Sequence, residues 1–522
     1  MRRLWLAGVV ILAACAKPPA KPVDLSALDR ADALVLEGCY DCLGEARDIY
    51  TKVGVGRARP TVVARIFSTE LLIALREKEL AMPEPVAAIE RARAVVPELP
   101  PTLEPDRYFA IVASMPRGVV GTPRAEMAAF RRGSAAFVPR IDGELNWLLN
   151  ATDVPAPVRQ YFAISLQCAF PLRSPGARTT PRAADARPTL AADAPALLRY
   201  LVSADCLGTQ IPPLVAIRDA NPRFVEPSLF VGRGSIRDDA NTGKNQAREL
   251  LAPVYARFPT SASATYLMGN LSQTLGDCRE ALRFYDETIA LSSLHEDALL
   301  GRTVCLTHLK RTDEAMAAAT YLITSKLDNM DQGYYWRAWN EYWVLKQLDA
   351  ARSDIEAAKK IRSTGETHTL AGIIEHDQDA LDESEKDLKV ARTMAYGNRN
   401  CIAAWYLGLV QMKRRAWVPS GEFFQAAMGC YERNVVEAEE GLAFTRAKED
   451  LDEAFRARQI ANFEAVIKED RGQQYSAAFN AANYYATGGD FTRARTMLAL
   501  AEKWPELAEK VALLQTYLKD KR

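Results

Sequence analysis

A small side chain recurs through the second half of this 522-residue chain at almost constant intervals. Ala247, Ala281, Ala315, Ala351, Ser384 and Ser420 follow one another at steps of 34, 34, 36, 33 and 36 residues. A position that stays small while its neighbours vary marks a place where helices cross too closely for anything larger than Ala, Gly or Ser. In the stretch TYLMGNLSQTLGDCREALRFYDETIAL, Gly269 lies twelve positions before Ala281, Tyr285 lies four after it, and Gly276-Asp277 breaks the helical pattern between them. Later copies vary by size: Thr303, Ala315 and Ala319; then Trp339, Ala351 and Ile355; then Gly372, Ser384 and Leu388; then Gly408, Ser420 and Phe424. Trp339 is the one bulky intruder. A final copy carries Ala482, Tyr485, Gly489, Ala494, Leu498 and Ala501 in the same register. The period predicts paired helices stacked in a row, each pair burying its apolar face against its neighbours.

These residues resemble the tetratricopeptide repeat family over roughly residues 228–430 and 475–504. The resemblance implies an all-α, right-handed solenoid of antiparallel helix pairs with irregular helical insertions. It also implies that positions 2, 5, 9 and 12 of each first helix line a concave face, and position 5 is then Tyr266, Leu300, Trp336, Thr369 and Trp405 in successive copies. Trp343 takes position 12 of the helix that carries Trp336, while Tyr335, Trp339 and Tyr342 fall on core-facing positions. Tyr266, Leu300, Trp336, Trp343 and Trp405 are therefore the candidate partner-binding groove, since Trp and Tyr supply much of the energy at peptide interfaces. Either this ladder is an open face, or the superhelix closes over it, or the segment 431–474 packs there. Members of the family that clamp a terminal carboxylate pair Asn with Lys and Arg; Asn270 and Asn340 match the Asn, but Tyr266 and Trp336 stand where cations would be needed. That clamp is not expected.

The N-terminus reads as an export signal. Met1-Arg2-Arg3 is followed by an apolar run from Leu4 to Ala14, too short to span a bilayer, and then by Cys15 and the tether Lys17-Pro18-Pro19. LAAC at 12–15 looks like the bacterial lipobox, which implies a signal peptide over residues 1–14, lipidation of Cys15, and a lipidated tether over residues 15–24. Ala16 in place of Asp resembles an outer-membrane destination, facing the periplasm or the surface. Export favours oxidised thiols, and Cys15 leaves eight further cysteines, an even number. The expected pairs are Cys39 with Cys42, Cys168 with Cys206, Cys278 with Cys305, and Cys401 with Cys430.

The rest of the chain divides by composition. Residues 25–97 predict two helical hairpins, and residues 98–227 an irregular helical region containing a Pro/Ala/Arg-rich loop at 171–196. A repeat array over residues 228–430, a charged helical insertion over 431–474, and a last repeat with a capping helix over 475–522 complete the chain.

Lys plus Arg and Asp plus Glu are both 66, so no basic excess points to nucleic acid. The four His form no HExxH, and GxSxG is absent. Gly243-Lys244 lacks the glycine and hydroxyl of a phosphate loop, and Gly232-x-Gly234 lacks the third glycine of a dinucleotide loop. No cofactor, metal site or catalytic activity is expected. The reading is of a lipid-anchored scaffold in the bacterial envelope that binds a protein or peptide segment, in assembly, secretion, pilus or cell-wall machinery. Its rival is a surface lipoprotein that captures glycans on its tryptophans.

Overall fold

The computed structural model describes residues 26–54, 59–83, 86–115, 140–169, 194–203, 211–237, 241–327, 329–394, 400–447 and 453–521. Every regular element among them is helical. The N-terminal part comprises α1 (Ser26–Glu37), α2 (Tyr40–Val53), α3 (Arg59–Glu79), α4 (Val86–Ala94), α5 (Pro105–Ala113), α6 (Ile141–Asn150), α7 (Ala156–Ala169), α8 (Ala196–Leu201) and α9 (Ile211–Ala220). The hairpin α10 (Pro227–Arg237) and α11 (Asn241–Arg257) leads into the repeats. These are α12 (Ala262–Thr274) with α13 (Cys278–Leu291), α14 (Glu296–His308) with α15 (Thr312–Thr324), and α16 (Met330–Trp343) with α17 (Leu348–Ile361). They continue as α18 (Gly365–Asp377) with α19 (Leu381–Met394), α20 (Cys401–Lys413) with α21 (Trp417–Ala447), and α22 (Glu453–Thr487) with α23 (Phe491–Ala501). α24 (Ala508–Leu518) closes the chain.

The hairpin turns share one device. Gly276, Lys310, Lys346, Asp379, Arg415 and Gly489, each just past the first helix of a pair, all have positive φ. The next amide folds back on the helix it has left, as in Asp277 N to Ser272 O (2.9 Å), Arg311 N to Leu306 O (3.0 Å) and Ala416 N to Gln411 O (2.9 Å). This six-to-one bond satisfies a carbonyl that the helix end would otherwise leave open. Capping side chains then restart the chain: Asp277, Asn400 and Asp490 accept from the amide three residues on.

The recurrent small residues sit at the crossings. Ala281, Ala315, Ala351, Ser384 and Ser420 are all fully buried. A Cβ on Gly301 would stand 2.3 Å from the Tyr285 ring, and one on Gly408 2.8 Å from that of Phe424, so neither helix could approach its neighbour with a larger residue. The two serines have a reason of their own. Ser384 Oγ donates to Gly372 O (2.7 Å) and Ser420 Oγ to Gly408 O (2.8 Å), so each buried hydroxyl bonds the glycine on the paired helix.

Trp339 needs a correction. The residue at the close crossing of α16 is Ala338, fully buried beside Ala351, Ile355 and Ile374, while Trp339 is only half-buried. The register slips by one because the turn after α16 is longer, closing from Gln347 N to Glu341 O. Buried Asp331 and Gly333 then match Glu296 and Ala298 of the preceding pair.

The N-terminal helices pack around a buried cation. Arg76 on α3 is fully buried; its guanidinium lies 4.1 Å from the Tyr200 ring, 5.4 Å from Phe224 and 5.7 Å from Tyr161. It pairs with Glu79 at 2.6 Å and donates to Gly38 O at 2.9 Å. Glu226, also buried, accepts from Tyr40 N at 2.7 Å, and burial lifts its carboxyl to about 7. One side chain thus ties α3 to the α1–α2 turn, α7, α8 and the segment before α10.

The segment 431–474 forms the outer halves of α21 and α22, which run on past the repeats as an antiparallel hairpin. Between Tyr431 and Ala447 it rises roughly 25 Å at 1.5 Å per residue. Val435, Ala438, Leu442 and Ile467 form its own small core. Near its tip it returns to the first repeat: Asn462 Nδ2 donates to Leu275 O at 2.8 Å, Gln459 Nε2 to the same oxygen at 3.3 Å, and Arg458 pairs with Asp277 at 3.2 Å. The arm therefore joins the last repeats to the first and closes the array into a ring.

Candidate functional site

On α16 the indoles of Trp336, Trp339 and Trp343 stand one helical turn apart, with ring centroids 6.2 and 6.4 Å from neighbour to neighbour. The spacing of three and four residues places them on one helix stripe. Tyr342 anchors the end of it: its hydroxyl donates to Asp377 at 2.5 Å and its ring lies edge-on to Trp343 at 4.6 Å. Trp343 is 39% exposed, and Val344 and Leu345 beside it are 45% and 40% exposed. Three consecutive exposed apolar residues at the end of an indole stripe make a surface that gains from being covered. At the other end, Trp336 lies 6.2 Å from His308, the last residue of α14.

His308 in turn borders a cleft of about 590 Å³ between the first repeat and the arm tip. Arg248, Arg279 and Arg458 line it with Asp277, Glu280 and Asn462. His308 thus borders both the stripe and the cleft.

The other groove candidates are placed differently. Tyr266 packs against the buried His295 ring at 4.7 Å and Tyr285 at 6.3 Å. Leu300 lies against the cluster of Leu299, Leu322 and Leu327. Thr369 accepts from Asn400 at 2.6 Å, and Trp405 meets the buried ring of Phe424 edge-on at 5.2 Å. Each leans on an interior contact; Trp405 belongs to a second run of rings with Phe424, Tyr484 and Trp417, spread over α20, α21 and α22, whereas the indoles of α16 share one helix. The register slip contributes to this: it carries Tyr335, Trp339 and Tyr342 onto positions equivalent to 5, 9 and 12, and moves Trp336 and Trp343 one step round the helix. Ala338, adjacent to Trp339 and five residues before Trp343, was the available signal in the sequence.

Three cysteine pairs are brought together, with Cα–Cα separations of 5.0 Å for Cys39 and Cys42, 5.0 Å for Cys278 and Cys305, and 5.4 Å for Cys401 and Cys430. These distances are in the range a disulfide spans. Cys15 and Cys206 lie outside the described residues, as does the side chain of Cys168.

Two polar clusters resemble chemical sites. Carboxylate oxygens of Glu356, Glu375 and Asp387 lie within 4.8 Å of one another, but Lys359 Nζ already sits on two of them, 2.8 Å from Glu356 and 2.5 Å from Asp387. Burial pushes the third, Glu375, up to about 7. An ammonium and a raised carboxyl together relieve the repulsion from within the protein. Ser363 Oγ, the His368 ring and Asp387 are also in line, at 2.7 and 2.8 Å. Asp387 is committed to Lys359, however, and the neighbouring amides of Thr364 and Thr367 are closed on each other's hydroxyls in a capping box. The amides that would stabilise an oxyanion are thus engaged.

No family model and no curated protein matches the sequence. Among solved structures, the chain is similar to YrrB, a tetratricopeptide protein described as having an unusual peptide-binding site, at 16% identity over 34% of this chain and 91% of that one, with a TM-score of 0.28. It is also similar to a tetratricopeptide repeat protein from Parabacteroides merdae, at 15% identity over 56% and 99% of the two chains, with a TM-score of 0.32. For the anaphase-promoting complex assembly Cut9–Hcn1 the identity is 11%, over 91% of each chain, with a TM-score of 0.36. Overlaps this low leave the assignment to the molecule's own geometry. Paired helices, buried small residues at the crossings and the recurrent left-handed turn together make the chain a tetratricopeptide-type helical solenoid.

Proposed function

We propose that the protein is a non-catalytic, lipid-anchored scaffold of the bacterial envelope that binds an extended segment of a partner protein on the aromatic stripe of α16. The observation that carries the binding half is the run Trp336–Trp339–Trp343 with exposed Val344 and Leu345 at its end. Large rings that are half-buried in the free protein lose little rotamer freedom on binding, and apolar contacts along a helix stripe suit an extended chain. The anchoring half is supported by the sequence MRRLWLAGVVILAAC alone. The thiols that face one another at three sites are consistent with an oxidising compartment.

The binding reading is tested with an array of overlapping unstructured peptides. Trp336→Ala together with Trp343→Ala should weaken the best peptides roughly tenfold or more while helical content is kept. Unchanged binding would remove α16 as the site. Anchoring is tested separately by mass spectrometry of the mature N-terminus, where a free, unacylated Cys15 would refute it.

A further inference from the structure

The three cysteine pairs differ in what can reach them. Cys39, Cys42, Cys401 and Cys430 are at most 5% exposed, and Cys305 is fully buried. Of these paired cysteines Cys278 alone is only partly buried, and it lines the 590 Å³ cleft between the first repeat and the arm. It is the first residue of α13, while Cys305 lies three residues before the end of α14, and their Cα atoms are 5.0 Å apart. The pair therefore has one sulfur facing an opening and one shielded behind it. That asymmetry suits thiol–disulfide exchange, in which one sulfur meets the reagent and the other completes the reaction.

The walls of the cleft select by charge. Arg248, Arg279 and Arg458 line it against the carboxylates of Asp277 and Glu280. Asp277 accepts from Glu280 N at 3.0 Å and pairs with Arg458, and Glu280 accepts from Ser272 Oγ at 3.2 Å. Both carboxylates are engaged by the protein, so the cleft presents an excess of positive charge to whatever enters it. Such a wall raises the local concentration of anions, and the attacking species in thiol exchange is itself an anion. The volume is of the size that holds a small ligand rather than a folded domain.

We propose that Cys278 is a thiol–disulfide exchange site: the cleft receives a small anionic thiol or disulfide, one carrying carboxylates near its sulfur, and Cys278 forms a mixed disulfide with it. The proposal is independent of the peptide-binding reading. From the reduced pair, the Cys278 thiolate attacks one sulfur of a disulfide RSSR. The S–S bond of RSSR breaks, a Cys278–SR bond forms, and the thiolate of R leaves and takes up a proton. Cys305 then attacks Cys278 Sγ, forms the Cys278–Cys305 bond and expels the second R as its thiolate, which takes up the second proton. The pair has given up two electrons and two protons, and RSSR has become two RSH. Run in reverse, two RSH reduce the bond, and the first attack falls on Cys278 because Cys305 is shielded.

The experiment takes the full chain, reduces it mildly, removes the reductant and adds oxidised glutathione, with cystamine as a disulfide of opposite charge. Acid-quenched samples are mapped by mass spectrometry to find which cysteine carries the adduct. Each rate is taken relative to that of the same reagent with free mercaptoethanol. In the parent, a transient adduct on Cys278 should give way to the Cys278–Cys305 bond, and Cys305→Ser should stop at the adduct and accumulate it. At low salt, oxidised glutathione should react roughly tenfold faster than cystamine on this relative scale. Arg248→Ala with Arg279→Ala should remove that preference while circular dichroism is unchanged. Should Cys305→Ser not fold, the quenched parent still reports where the first adduct forms. The proposal is overturned by a folded chain whose Cys278 takes no adduct, by adducts that form first on Cys39, Cys42, Cys401 or Cys430, or by equal relative rates for the two reagents.

Discussion

Replacing Arg76 by methionine keeps most of the side-chain volume and removes the charge at the centre of the N-terminal body. Glu226 lies fully buried in the same region, and burial lifts its carboxyl from an ordinary 4.5 to about 7 with Arg76 as the main opposing influence. A group raised in this way contributes stability that is complete below its unfolded pKa and is lost as pH rises through its folded one, here between 4.5 and about 7. The displacement corresponds to about 3 kcal/mol. At pH 5 Glu226 is mostly protonated and needs no counterion, and Glu79 keeps the Tyr161 hydroxyl at 2.6 Å. The loss from Arg76→Met should then be about 2–3 kcal/mol, from the Glu79 pair, the Gly38 carbonyl bond and the ring contacts. At pH 8 the ionised form of Glu226 has lost the cation that most favours it, and the loss should grow to about 3–5 kcal/mol. Adding Glu226→Gln should abolish the difference between the two pH values. Hydrogen exchange read by mass spectrometry on peptides from α3, α7 and α8 gives the local stability, which suits a repeat chain better than a single global transition. Peptides from α14 onward should be unaffected. An equal loss at both pH values, or protection in α3 that does not change, would refute the assignment of Arg76 as the counterion of Glu226.

Lys310, Lys346 and Arg415 hold the left-handed turn without being glycine, so each change to Gly should stabilise its hairpin by about 1 kcal/mol, seen as a higher midpoint in thermal melts. His295 is buried with its ring against Tyr266, and burial lowers its pKa from 6.5 to about 4. Its contribution is present above pH 6.5 and fades as pH falls through about 4, by up to about 3 kcal/mol, and urea titrations of His295→Asn should lose that slope. Ala281→Trp should overpack a fully buried crossing and destabilise by several kcal/mol, with protection falling in α12 to α14. A melt matching the parent would mean that the crossing is elsewhere.

The repeat itself was legible in the sequence, because a close helix crossing admits only small residues and leaves a periodic trace wherever it occurs. Ala281, Ala315, Ser384 and Ser420 therefore located the crossings from spacing alone, and Gly276-Asp277 marked the first turn. The same logic failed at Trp339, where one extra residue before Lys346 moved Ala338 into the crossing; a rigid period cannot register a one-residue slip that the turn absorbs. The groove was legible only in part. Position 5 named Tyr266, Leu300, Trp336 and Trp405, but whether a ring faces open space or the next repeat depends on the angle between neighbouring pairs, which no single repeat encodes. The arm was visible as a charged helical stretch without register, and its destination was not. The bonds from Arg458, Gln459 and Asn462 to Leu275 and Asp277 link residues about 180 positions apart. Such contacts depend on the summed rotation of five helix pairs, a quantity that exists only once the whole array has folded.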